Sequence, residues 1–146
     1  MKPNPIKAIF QSRNIPFSME DPVLHSLDEV CGISLDEECA DARRLIVTNK
    51  TALFGAAVIC SADLLDTIYK RIKCNFYIAP SSIHDVIISP EDTFAKASDL
   101  LEIVKQVNHT TVRKEEQLGD FVLFYNGKTK QMTIAAGEIF VPAPEI

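Results

Sequence analysis

The chain has 146 residues, enough for one domain that buries its own core without disulfides or a bound metal. Its composition, 47% hydrophobic and 24% charged, is that of an ordinary globular protein, and no apolar run approaches the ~20 residues that a membrane-spanning helix needs. The formal net charge of -5 argues against nucleic acid as a main partner, because phosphate binding requires concentrated Lys and Arg. The N-terminus lacks the apolar core of a signal peptide, so the sequence predicts a cytoplasmic protein that does not contact membranes.

Negative charge is concentrated near the N-terminus. Between Ser18 and Ala42 there are eight acidic residues and no Lys or Arg, so the remainder of the chain carries a net charge of +3. The simplest interpretation is a solvated surface, and the alternative is an acidic docking surface for a basic partner. The eight residues are Glu20, Asp21, Asp28, Glu29, Asp36, Glu37, Glu38 and Asp41.

Residues 1–42 are divided into short pieces by four prolines, and we interpret them as a lead-in that packs on the main body. The apolar spacing within Ile6–Phe10 predicts a short helix. The spacing of apolar residues within Val23–Val30, followed by Gly32, predicts a second helix. The main body is therefore expected to follow short N-terminal helices.

From residue 43 onward, apolar runs alternate with helical patterns. The predicted elements are strands at Arg44–Thr48 and Ala52–Cys60, a helix capped by Ser61, strands at Phe76–Ala79 and Val86–Ile88, a helix from Ser89–Asp92 to about Asn108, and two strands around Asn126–Gly127. The order β-β-α-β-β-α-β-β predicts an α+β domain over residues 43–135, in two layers with a largely antiparallel sheet. Residues 136–146 are predicted to form an extended tail.

Two glycines carry local predictions within this pattern. Gly55, inside the second predicted strand, indicates a close backbone approach or a bulge. Gly127 follows Asn126 directly after an apolar run, and Asn-Gly at this point predicts a two-residue hairpin.

The connector Pro80–Asp85 concentrates groups that can take part in chemistry, namely Ser81, Ser82, His84 and Asp85. If the chain is extended from Ile83 onward, His84 and Asp85 point to opposite faces, which argues against a catalytic triad. We therefore assign no catalytic residue. The four residues remain candidates for binding a ligand, while the simpler interpretation is that they hydrogen-bond to local backbone.

Cysteine chemistry offers a second possible site. Cys31, Cys39, Cys60 and Cys74 form no C-x-x-C pair, so the sequence predicts reduced thiols and no metal site. A nucleophilic pair of Cys60 or Cys74 with His84 or His109 is an alternative to buried, inert thiols. The sequence also lacks glycine-rich phosphate loops, and no cofactor is predicted.

Several segments together resemble a known family. They are Val47–Asn49, Leu53–Ala57, Phe76–Asp85, Val107–Val112 and Gly119–Tyr125. The pattern is similar to a family of uncharacterised proteins from Clostridia-type gut bacteria, a domain of unknown function, and the chain resembles the C-terminal portion of its longer members. In that family a glutamate usually stands where this sequence has Asp85. The resemblance implies a fold and a motif, and no activity, cofactor or partner.

Two functions remain open on these grounds. The first is a non-catalytic α+β module for protein-protein contacts, in an accessory or regulatory role, whose partner is another protein or a second copy of the chain. The second is a small-ligand-binding protein or a hydrolase-like enzyme that uses the cluster of Ser81, Ser82, His84 and Asp85.

Overall fold

The computed structural model describes residues 4–26, 44–80, 82–91 and 96–138. The helices in these ranges are α1 (Pro5–Ser12), α2 (Ala62–Ile72) and α3 (Ala97–Thr110), with 3-10 helices at Gly55–Cys60 and Lys114–Glu116. The strands are β1 (Pro22–Ser26), β2 (Leu45–Asn49), β3 (Phe76–Pro80), β4 (Val86–Pro90), β5 (Phe121–Asn126) and β6 (Gln131–Gly137). None of these helices has the length and apolar content needed to cross a membrane.

The strands form one sheet in the order β1-β2-β4-β3-β5-β6. Every pair of neighbours is antiparallel, so the predicted α+β class with an antiparallel sheet is confirmed. The central strands β4 and β3 are a hairpin whose register runs from Pro80 opposite Val86 to Phe76 opposite Pro90. The connector between them is the segment in which the candidate site residues lie.

Helices cover both faces of this sheet, whereas two layers were predicted. Along β3, Ile78 packs into a core with α1, the Gly55–Cys60 helix and α2, while its neighbour Ala79 packs with α3 on the other face. Successive side chains of a strand point to opposite faces, so the two apolar clusters require two helical layers. Full burial of one large apolar side chain contributes about 1.5–3 kcal/mol, which makes the first and larger cluster the main source of stability.

The second predicted N-terminal helix is wrong in the part that the structure describes. Residues Pro22–Ser26 form the edge strand β1, which pairs with β2 from Pro22 opposite Asn49 to Ser26 opposite Leu45. Four apolar residues at helical spacing are a weak signal, and pairing with a neighbouring strand satisfies the backbone groups equally well. The rest of the predicted helix, beyond Ser26, lies outside the described residues.

The predicted strand Ala52–Cys60 is also wrong. Residues Gly55–Cys60 form a buried 3-10 helix, and β2 pairs with β1 and β4 instead of forming a hairpin with this segment. The Asn49 side chain bonds both the N–H and the carbonyl of Leu53, which turns the chain away from the strand direction. Periodicity cannot distinguish a buried helix from a buried strand in such a short apolar run.

The sequence predicted the start of α2 correctly but the start of α3 incorrectly. Ser61 caps α2 as predicted, since its hydroxyl accepts a hydrogen bond from the Leu64 N–H at 3.2 Å. The predicted start of α3 at Ser89–Asp92 is wrong, because β4 continues to Pro90 and the helix begins at Ala97.

The hairpin around Asn126–Gly127 exists but has a longer turn than predicted. Four residues, 127–130, separate β5 from β6, and the Asn126 side chain accepts hydrogen bonds from the N–H groups of Lys128 and Thr129. Lys130 supplies the left-handed residue, with φ of 56°, while Gly127 packs closely against the Tyr69 ring. The side-chain hydrogen bonds of Asn126 therefore stabilise a four-residue turn in place of the predicted two-residue turn.

Candidate functional site

The β3–β4 connector is fixed by backbone hydrogen bonds to two different 3-10 helices. The N–H of Ile83 donates to the Glu116 carbonyl at 2.8 Å, and the carbonyl of Ile83 accepts from the Ala56 N–H at 3.1 Å. These contacts bring the Gly55–Cys60 helix and the Lys114–Glu116 helix to the same point of the sheet. Ser81, one of the four candidates, lies outside the described residues.

The imidazole of His84 is engaged at both nitrogens. Its Nδ1 accepts a hydrogen bond from the backbone N–H of Phe54 at 2.9 Å, and its Nε2 lies 3.4 Å from Oε1 of Glu116. A ring nitrogen that accepts cannot carry a proton, so the neutral ring has its hydrogen on Nε2, directed toward the Glu116 carboxylate. The side chain of His84 is only 22% exposed, which limits its access to a ligand from solvent.

The backbone of His84 is held as firmly as its ring. Its carbonyl accepts a hydrogen bond from the Thr48 hydroxyl at 2.7 Å, and its N–H donates to the Ser82 hydroxyl at 2.9 Å. Gly55 lies against the same carbonyl, and a β-carbon at this position would come within 2.5 Å of it. The close backbone approach predicted for Gly55 is therefore confirmed.

Ser82 and His84 are close, but they are not arranged as a nucleophile and its base. The Ser82 hydroxyl accepts from the backbone N–H of His84, and the imidazole of His84 is turned to Phe54. A nucleophilic serine needs its hydroxyl hydrogen-bonded to the imidazole itself. The sequence argument about opposite faces does not apply, because β4 begins at Val86 and the chain bends at Ile83 and His84.

Asp85 is the one residue of the connector with a clearly perturbed acidity. Burial raises the pKa of its carboxyl above the ordinary value of 3.8, and the neighbouring His84 opposes that shift. A carboxylate removed from water loses hydration, and that loss favours the protonated form. Such a shift occurs at functional sites and also in structural networks, so it marks Asp85 without assigning it a role.

Phe54 connects this network to the surface. It has a left-handed backbone, with φ of 56°, which is a strained conformation for a bulky side chain. Its N–H bonds His84, and the two rings lie 5.5 Å apart between centroids. The hydrogen bond and the ring contact offset the strain and fix the Phe54 side chain in place.

A surface cavity of about 280 Å³ lies on the other side of Phe54. It is bordered by two loops, residues 16–21 before β1 and residues 49–54 after β2. The apolar lining comes from Pro16, Phe17, Leu53 and Phe54, and the polar lining from Ser18, Glu20, Asp21, Asn49, Lys50 and Thr51. We call these two loops the cavity loops. Within the structure's described ranges, Glu20 and Asp21 are the members of the acidic stretch that can be placed, and both lie here.

Large apolar side chains are exposed on the cavity loops. Leu53 is 54% exposed and lines it, and Met19, which is 43% exposed, belongs to the other cavity loop. A second depression, on α3, is lined by Glu102, Lys105, Gln106, His109 and Thr110, which all come from the exposed side of one helix. Only the first of these two combines apolar walls with residues from separate loops.

The proposed thiol chemistry has little support in this geometry. Burial raises the pKa of the Cys60 thiol to about 12, so the nucleophilic thiolate is scarce at neutral pH. His109 lies on α3, on the opposite face of the sheet from Cys60. Cys31 and Cys39 lie outside the described residues. Among the residues that are described, no group of three or more His, Cys, Asp or Glu side chains is placed to hold a metal ion.

Three residues of the network were missed by sequence reasoning. Thr48, Phe54 and Glu116 all bond or contact His84, yet they lie 36, 30 and 32 positions away along the chain. No local pattern signals such contacts. Gly55 was the only indirect sign, because a glycine in an apolar run marks a place where two backbones meet.

The fold and this site define an antiparallel α+β domain whose central hairpin connector supports a surface cavity. The chain belongs to a family of unknown function, DUF5688, which it matches over residues 13–127. The matched range includes the connector, both cavity loops and Glu116. No curated protein and no solved structure matches the chain. The predicted membership of a family of unknown function is thus confirmed, while the bacterial source and the C-terminal placement stay predictions.

Proposed function

We propose that this protein is a non-catalytic binding module that recognises a protein partner at the cavity loops. The observation that carries the proposal is the use of His84, whose acceptor nitrogen holds the backbone of Phe54 instead of facing a nucleophile. The connector residues that the sequence suggested as a ligand-binding or catalytic site thereby hold a recognition surface in place. The exposed Leu53 and the ring of Phe54 provide that surface with apolar contact area.

The open shape of the cavity, more than its volume, favours a protein partner over a cofactor or metabolite. Sites for small molecules are typically ~300–1,000 Å³ and bury most of their ligand. At about 280 Å³ and open to solvent, this cavity suits one or two apolar side chains of a partner. The polar groups around it, including the carboxylates of Glu20 and Asp21 and the ammonium of Lys50, would form the hydrated rim that surrounds a protein contact.

A photo-crosslinking amino acid at position 53 tests this proposal directly. The full chain with the crosslinker in place of Leu53 is compared with a chain that carries it in place of Ile103, an isoleucine of similar exposure on α3. After irradiation in lysate of the source cells, we expect one defined protein adduct from position 53 and none from position 103. Adducts of equal pattern from both positions, or none from position 53, would contradict the proposal.

A ligand or hydrolase function at the connector is the second candidate, and one observation favours it. The raised pKa of Asp85, beside a His84 that contacts Glu116, is the kind of perturbation that active sites use. This function requires the acceptor nitrogen of His84 to become free. Imidazole NMR signals that shift on addition of a substrate library, together with turnover, would favour the second candidate over the first.

A further inference from the structure

The strand β6 forms one edge of the sheet and has little protection against pairing. It is seven residues long and stands last in the strand order, and no other strand of the described residues lies along its outer side. It contains no charged residue and no proline, and its Ile134 is 51% exposed. An open edge pairs with other strands, so natural edge strands are usually short, charged, bulged or interrupted by proline. Of these protections β6 has only a bulge.

The opposite edge of the sheet shows what such protection looks like. The strand β1 has five residues, begins with Pro22 and carries an exposed His25. A proline removes one hydrogen-bond donor from the ladder and is a common residue of protected edges. The two edges of the same sheet thus differ in chemistry, and β6 is the edge suited to pairing.

A bulge limits the regular part of β6. Leu123 pairs with Ile134 and Val122 pairs with Ala136, so Ala135 is an extra residue without a partner on β5. The regular ladder therefore runs from Gln131 to Ile134, and the strand twists more strongly after it. Ile134 stands at the end of the regular stretch, where a partner strand would cover its exposed side chain.

The charges that flank β6 indicate which partner fits. Lys128 and Lys130 precede the strand, and Glu138 follows it. Antiparallel pairing of two copies places the basic end of each β6 beside the acidic end of the other, on both sides of the two-fold axis. Parallel pairing would instead place the lysines of both copies together, which is unfavourable. We infer that a second copy of this chain pairs antiparallel along β6, so that one sheet continues through both copies.

This contact has the symmetry that most homodimers use. Antiparallel pairing of identical strands is isologous, since the same surface serves both copies and the assembly closes at two. It lies at the far edge of the sheet from β1 and the cavity loops, and it is independent of the function proposed for them. A seven-residue strand buries less than the ~800 Å² per partner of a typical stable interface, so we expect a dimer that dissociates on dilution.

Light scattering coupled to size exclusion, on the full chain over a range of concentrations, tests the pairing. We expect the unaltered chain to shift from monomer to dimer as its concentration rises. Ile134 is the middle residue of β6, so a register that places Lys130 opposite Glu138 brings the two copies of residue 134 together at the two-fold axis. Ile134→Lys should therefore remain monomeric, because two ammonium groups would meet there. Ile103→Lys is the matched control: this isoleucine is 49% exposed and belongs to α3 instead of the edge strand, and its variant should dimerise like the unaltered chain.

A charge reversal tests the register without touching the apolar contact. Lys130→Glu should weaken the dimer, and the double variant Lys130→Glu, Glu138→Lys should restore it, because the complementary ends are exchanged. If circular dichroism shows that Ile134→Lys does not fold, the single and double charge variants still test whether two copies pair along β6. A chain that stays monomeric at all concentrations, or a double variant that dimerises no better than Lys130→Glu alone, would overturn the inference.

Discussion

The backbone N–H of Phe54 donates a hydrogen bond to Nδ1 of His84 at 2.9 Å, and the two rings pack against each other. This contact joins the loop after β2 to the connector between β3 and β4, two segments that are 30 residues apart in sequence. It holds Phe54 in a left-handed conformation and so determines the wall of the surface cavity. A histidine that sequence reasoning placed among candidate ligand-binding residues thus acts first as a structural acceptor.

Replacement of His84 should separate the contribution of its Nδ1 hydrogen bond to stability from the contribution of its ring packing. His84→Ala leaves the Phe54 N–H without a partner, and we expect a loss of about 1–3 kcal/mol in the free energy of unfolding. His84→Asn should lose less, because the amide oxygen can take the position of Nδ1. His84→Gln is the control, since its longer side chain carries the amide nearer to the position of Nε2. Urea denaturation of the three variants measures the order, and equal stability of Ala and Asn would contradict the role.

Gly55 should tolerate no side chain. A β-carbon there would lie 2.5 Å from the His84 carbonyl and 2.7 Å from the Asn49 nitrogen, both of which are backbone atoms. We expect Gly55→Ala to lower stability by about 1–3 kcal/mol through overpacking. Ala52→Gly is the opposite control, because Ala52 has a φ of 56° and glycine adopts this conformation without strain. Thermal unfolding should show a lower Tm for Gly55→Ala than for the unaltered chain. The Tm of Ala52→Gly should be unchanged or higher.

Asp85 should make stability depend on pH in one direction. Below the ordinary pKa of 3.8 the carboxyl is protonated in both the folded and the unfolded chain, and it contributes no difference. As pH rises, the unfolded chain releases its proton first, because burial raises the pKa of the folded carboxyl. The folded state therefore loses stability until the pH exceeds that raised pKa.

Asp85→Asn measures this contribution, because the amide does not ionise. We expect the variant to gain stability relative to the unaltered chain as pH rises from about 3.8 through the raised folded pKa, and to keep that gain above it. The two proteins share every other ionisable group, so the comparison of the two largely cancels the remaining pH effects. A difference that stays constant, or that shrinks as pH rises, would show that the Asp85 carboxyl is not destabilised by burial.

Cys60 should be inert in the folded protein. Its thiol has a pKa of about 12, against an ordinary value of 9.0, so little thiolate is present for alkylation. We expect iodoacetamide to modify Cys60 only as fast as the chain unfolds. Mass spectrometry of the Cys60 peptide, with and without urea, checks this result, and the Cys74 peptide gives the internal comparison. Rapid modification under native conditions would revive a nucleophilic role for Cys60.

The order of elements was only partly predictable from local patterns. Ser61 as a helix cap, the strands on either side of the connector and the hairpin at Asn126 all have short-range chemical signals, and the structure contains them. The segments Val23–Ser26 and Ala52–Cys60 lack such signals. The apolar content of each segment is compatible with a helix or a strand. Which structure each one adopts depends on which of the two pairs with β2. Strand pairing across distant residues is the information that a single sequence does not provide.

The sequence was enough to predict the class of the fold, two antiparallel hairpins (β3–β4 and β5–β6) and the segment Pro80–Asp85 as the place where polar groups gather. These follow from composition, periodicity and turn chemistry, which are properties of neighbouring residues. Tertiary structure alone decided what the polar groups do. Segments that are distant in sequence converge at one end of the central strands and contact His84 through Thr48, Phe54 and Glu116. These contacts hold the imidazole against the backbone of Phe54. Side-chain contacts between distant segments, and not residue types, determine that role.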